Sequence, residues 1–172
     1  MDVLVGYATA HGSTAEIARS LAARLGAAGL TAEARPMESV PDAGAYAAFV
    51  LGSAVHGQTW LDPAKEFLRR GADVLRERPV WLFSVGMPDA LRGPWRRMGP
   101  KEAPVIVESL PGGLPLREHR LFSGVVRPAH LSLTGRFVFH LFCGRYGDYR
   151  DWDALDRWAD AIAEELTGRT RH

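Results

Sequence analysis

At 172 residues with 47% hydrophobic content, the chain is long enough to bury one substantial core and is read as a single domain spanning 1–172. Its 21 basic and 20 acidic side chains leave a formal charge of +1, which excludes the global positive field of a nucleic-acid-binding protein. A lone cysteine, Cys143, excludes an internal disulfide, and no apolar run reaches the roughly 18 to 20 residues that a spanning helix requires. The first residues carry a strand pattern in place of a charged segment and an apolar signal core, so a cytoplasmic location is expected.

Val3-Leu4-Val5-Gly6-Tyr7 predicts a first strand, and the four-residue spacing of Ile17, Leu21 and Leu25 predicts a helix over about 14–28 that Gly29 stops. Between them lies Thr9-Ala10-His11-Gly12-Ser13-Thr14. A strand that turns through small hydroxylated residues into a helix start is suited to hold a phosphate. The first helical N–H groups lack intrahelical partners, the helix dipole is positive there, and Ser/Thr hydroxyls add donors. The same six residues also suit an ordinary surface loop with a hydroxyl cap. The loop contains no Gly-Lys-Ser/Thr for a nucleoside triphosphate and no Gly-x-Gly-x-x-Gly for a dinucleotide. What remains resembles the T-x-T-G-x-T pattern of flavodoxins, with His11 in place of the middle Thr, and that resemblance implies FMN as ligand.

A second strand is expected around Leu30 to Arg35, and the continuous apolar run Ala48-Phe49-Val50-Leu51-Gly52 predicts a third, covered on both faces. Asp62-Pro63 predicts a helix start with Asp62 as N-cap, Phe67, Leu68 and Leu75 supplying the apolar side. Val80-Trp81-Leu82-Phe83-Ser84-Val85 predicts a fourth strand and Arg120 to Val126 a fifth, with a short helix over 103–110 between them. The final helix is expected over about 151–167, with Trp152, Leu155, Trp158, Ala159, Ile162 and Leu166 on one stripe. Strands alternating with helices predict an α/β fold, a doubly wound five-stranded parallel sheet.

The flavodoxin-like resemblance implies the strand order 2-1-3-4-5, with a binding crevice at the carboxyl ends of strands 1, 3 and 4. It assigns cofactor contacts to Thr9, Ala10, His11, Gly12, Ser13 and Thr14, then to Ser53, Ala54, Val55, His56 and Gly57, and finally to Ser84, Val85 and Gly86. By the same resemblance, backbone near His56 and Gly57 faces the flavin N5, and backbone near Ser84 to Gly86 faces the pyrimidine oxygens. Trp60 fits either stacking on the flavin or capping the core. No His, Cys or carboxylate set has metal-ligand spacing, so no metal is expected, and no nucleophile elbow or catalytic base is identified.

A short flavodoxin needs only a brief link from its last strand to its last helix, yet here Arg127 to Arg150 intervene. This insert interleaves Leu131, Leu133, Phe137, Val138, Phe139, Leu141 and Phe142 with Arg127, His130, Arg136, His140, Arg145 and Arg150. Such a segment fits local packing, a dimer contact, or a surface for lipid and an apolar substrate, including peripheral membrane contact. Residues 87–150 hold 10 basic and 5 acidic side chains, which favours an anionic partner. With Leu51-Gly52-Ser53-Ala54, Glu66-Phe67-Leu68-Arg69-Arg70 and Arg150-Asp151-Trp152, the chain is similar to the flavodoxin-like quinone-dependent protoporphyrinogen dehydrogenases. That resemblance implies an FMN oxidoreductase in heme biosynthesis, taking electrons from a porphyrinogen and passing them to a quinone or a protein acceptor. The alternative is a flavodoxin-type electron carrier without a small-molecule substrate.

Overall fold

A computed structural model describes residues 1–86, 99–111, 113–127 and 146–168. Its sheet follows from short apolar runs whose successive side chains point to opposite faces. In β1 (Asp2–Ala8) and β5 (Val80–Gly86), Val3, Val5, Trp81, Phe83 and Val85 face one helical layer, while Leu4, Val80 and Leu82 face the other. With β2 (Thr31–Pro36), β3 (Ala48–His56) and β6 (Leu116–Ser123), they form a parallel array ordered β2-β1-β3-β5-β6. Counting parallel strands alone, that is the expected 2-1-3-4-5. A two-residue strand, β4 (Thr59–Trp60), adds antiparallel to the end of β3.

On one face lie α1 (Ser13–Ala27) and α5 (Trp152–Thr167), burying Ile17, Leu21 and Leu25 with Leu155, Trp158 and Ile162. On the other lie α2 (Asp62–Arg70), α3 (Ala72–Arg76) and α4 (Gly99–Ser109), where Phe67, Leu68, Leu75 and Ile106 meet the sheet. Helix α1 ends as Gly29 predicts: this residue adopts φ 95°, the Leu30 N–H reaches the Leu25 carbonyl and the Gly29 N–H the Gly26 carbonyl. Gly52 marks a close approach of another kind. A Cβ there would lie 2.0 Å from the Phe83 ring, so the ring packs directly on the β3 backbone.

Several boundaries move. Helix α2 is capped by extended Leu61, whose carbonyl accepts from the Ala64 and Lys65 N–H groups, so Asp62 lies inside the first turn and bonds Lys65 instead of capping. The fifth parallel strand runs from Leu116, earlier than expected, to Ser123, and the Gly124 N–H adds a last bond to the Gly86 carbonyl of β5. Val125–Val126 then forms a separate strand, β7, antiparallel to β8 (Gly147–Asp148). Helix α4 starts at Gly99, before the expected residue 103. Trp152 leaves the α5 core stripe, being 40% exposed, and its ring takes the Arg150 guanidinium at 4.8 Å. The apolar and basic residues of the insert from 128 to 145 lie outside the described residues, as does Cys143. Among the described residues, no helix is long and apolar enough to cross a membrane.

Candidate functional site

Parallel register sets Ala8 beside Ser53 and Ser53 beside Ser84, so the segments after β1 and β3 and the end of β5 all emerge at one sheet edge. The sequence-predicted residues therefore gather at that edge. The first segment is compact: the Thr9 hydroxyl accepts the Gly12 N–H at 2.9 Å, and Gly12 takes φ 94° to turn the chain into α1. Ala10 and His11 are exposed, and Gly12 and Ser13 are half-buried. Gly12 offers no side-chain cap to the first turn. Thr14 is fully buried, and its hydroxyl has no hydrogen-bond partner among the described residues. Leaving such a group unpaired costs about 1–3 kcal/mol, a cost that an anion seated on this helix start would remove.

Electrostatics around that helix start depend on a residue far along the chain. Glu16 lies in the first turn, where its carboxylate would oppose an anion. Arg150 bonds both Glu16 and Asp148, and its hydrogen bond with Asp148 holds that carboxyl below the usual carboxylate range. The guanidinium of Arg150, one of the basic groups of the insert, thus joins β8 to α1. Gly124 completes the contact: a Cβ there would come within 3.2 Å of the Ser13 hydroxyl oxygen and 2.8 Å of a Val85 methyl. The end of β6 thereby touches the start of α1.

The second segment is a tight hairpin. Val55 pairs with Trp60 and His56 with Thr59, while Gly57 and Gln58 both adopt positive φ, 57° and 62°. Consecutive left-handed residues match the twist of the flanking strands, as in a type I′ turn. His56, Gly57 and Gln58 are exposed, Ala54 and Val55 half-buried, and Ser53 fully buried. The Ser53 hydroxyl donates to the Ala54 carbonyl at 2.8 Å and accepts the Leu61 N–H at 3.1 Å. Trp60 is 1% exposed and gives its indole N–H to Ser84 at 2.7 Å, so it fills the core.

At the end of β5, Ser84 and Val85 are buried within the sheet and Gly86 lies half-buried at its rim. The Ser84 hydroxyl also meets His119 Nε2 at 2.9 Å. His119 escaped the sequence reading because its strand appears there to begin at Arg120. The interspersed apolar and charged residues of Leu116 to Leu121, typical of an edge strand, were the available signal.

A family model described as a flavodoxin domain matches residues 4–150. No curated protein matches the chain. Among solved structures, a flavodoxin from the domain Archaea superposes with TM-score 0.60 at 13% identity, covering 97% of this chain and 99% of that one. A flavodoxin from Streptococcus pneumonia TIGR4 gives 0.59 at 16%, covering 99% and 100%. Rubredoxin oxygen:oxidoreductase from Desulfovibrio gigas gives 0.59 at 18% across 97% of this chain, which spans only 36% of that protein. The doubly wound sheet, the helix-start loop at its carboxyl edge and the family match over most of the chain agree: this protein belongs to the flavodoxin domain family.

Proposed function

We propose that the chain binds FMN at this edge and works as an electron-transfer flavoprotein with protein partners. The observation that carries the reading is the buried, unpartnered Thr14 hydroxyl at an α1 start without a side-chain cap. Flavodoxins bind FMN, and the donor set here suits a phosphate. In this reading Thr9 to Thr14 hold the phosphate, Ser53 to Gly57 and Ser84 to Gly86 frame the ring, and Arg150 balances Glu16 behind the loop. The flavin itself supplies reversible electron uptake. The protein supplies small residues that admit a flat ring, a hairpin that fixes its surroundings, and exposed His56 and Gly57 beside which a partner docks.

Titration of apoprotein with FMN, followed by flavin absorbance, tests the site. Replacing Thr14 by the isosteric Val removes one donor and is expected to weaken affinity about tenfold, equivalent to roughly 1.4 kcal/mol. Thr14→Glu sets a carboxylate against the phosphate and is expected to weaken it further. Unchanged affinity in both variants removes the site from consideration.

A second reading, porphyrinogen oxidation with a quinone as acceptor, is supported by one observation. The 128–145 insert leaves from β7 and returns at β8, next to Gly124, whose backbone lies against Ser13. Its roots are therefore beside the phosphate loop, and exposed Arg127 stands at its start. Anaerobic assays with protoporphyrinogen separate the readings. Quinone-dependent turnover above an FMN-free control supports the dehydrogenase, while its absence together with ready reduction of a cytochrome supports the carrier.

A further inference from the structure

Strand β4 is only two residues long and makes two ladder pairs with β3, too few to hold a hairpin in water unaided. Gln58 adds a left-handed residue that a side chain disfavours. The hairpin is nevertheless tied down through Trp60, whose indole can only donate, so the Ser84 oxygen must accept. Ser84 then has one proton to place, in a fully buried position, and His119 Nε2 stands 2.9 Å away. Burial pushes the His119 imidazole toward its neutral form, in which one ring nitrogen is a bare acceptor.

We propose that His119 is the positioning residue of the β3–β4 hairpin: its Nε2 accepts the Ser84 proton, which orients the Ser84 oxygen to receive the Trp60 indole and holds the turn at a fixed height over the sheet edge. The proton of the ring lies on Nδ1. The relay runs from an edge strand, through the sheet, to the rim of the cofactor site. Its consequence for flavin binding rests on the FMN reading above, but the relay itself is a property of the apoprotein.

Nitrogen NMR of apoprotein tests it. In the wild type, the His119 nitrogens are expected to show a protonated Nδ1 and a bare Nε2; a protonated Nε2 overturns the proposal without any variant. Trp60→Phe identifies the Trp60 indole resonance. In His119→Leu, that indole N–H and the Gly57 to Trp60 amides are expected to exchange with solvent at least ~10-fold faster than in the wild type, after correction for global stability. In His119→Gln, whose side-chain carbonyl supplies an acceptor, exchange is expected to stay within ~3-fold of the wild type. Equal acceleration in the two variants, or none in either, assigns His119 to packing and overturns the proposal. If His119→Leu does not fold, Ser84→Ala replaces it, and an unchanged indole resonance there has the same force. FMN titration is read separately: wild type that fails to bind flavin sinks the function reading and leaves the imidazole and indole spectra to judge the relay.

Discussion

Gly52 is a position where one methyl group decides stability. The Phe83 ring lies where a Cβ would be, at 2.0 Å, and the ring cannot withdraw because it also packs edge-on against Phe122 and Trp158. Gly52→Ala is expected to cost about 3 kcal/mol or more in urea denaturation, with Phe83→Leu in the same chain recovering part of the loss. A second single-residue effect is the pH response of His119. Burial holds its folded value below the ordinary 6.5, so the unfolded chain binds the proton more readily. Its contribution is complete above 6.5 and is lost as the pH falls through the lower folded value. His119→Gln is expected to flatten the stability profile below pH 6.5, measured by denaturant midpoints at several pH values.

Among elements, the link from β8 to α1 carries the sharpest expectation. With Arg150→Ala, Glu16 stands uncompensated at a helix start, and FMN affinity is expected to fall about 3- to 10-fold, more at low than at high salt. Glu16→Gln in the same chain should restore most of it; absence of any rescue in that double-mutant cycle removes Arg150 from the electrostatics of the site. The ends of that contact are 134 positions apart, which is why sequence spacing could not announce it. What was legible was periodic or contiguous: the buried runs of β1, β3 and β5, the apolar spacing of α1 and α5, and the small-residue loop between β1 and α1. Strand β4 was hidden because its turn uses Gln58 where Asn-Gly would be the usual sign. The Ser84–His119 pairing crosses two strands joined only through tertiary structure, so neither residue type nor spacing reveals it.

For the whole molecule, the antiparallel pair Val126–Gly147 defines where the insert can be removed. A deletion of 128–145 bridged by Asn-Gly spares Arg150 and the Tyr149 N–H bond to the Gly124 carbonyl, whereas removal of 127–150 destroys both. The shorter deletion is expected to keep FMN affinity within about twofold and to abolish porphyrinogen turnover if the second reading is right. Loss of fold and flavin together would assign the segment to the core. The packing of α5 on α1 reaches further, into the timing of synthesis. Arg24 grips Asp160 through two bonds of 2.7 and 2.8 Å, and Leu155, Trp158 and Ile162 join the cluster that seats Ile17 and Leu21. On a ribosome adding about 5 to 20 residues per second, α1 waits roughly 6 to 25 s for Trp152 and its successors. During that interval the loop between β1 and α1 rests on a helix lacking one of its walls, so a nascent chain stalled before residue 150 has yet to complete the sheet edge at which we propose that FMN binds.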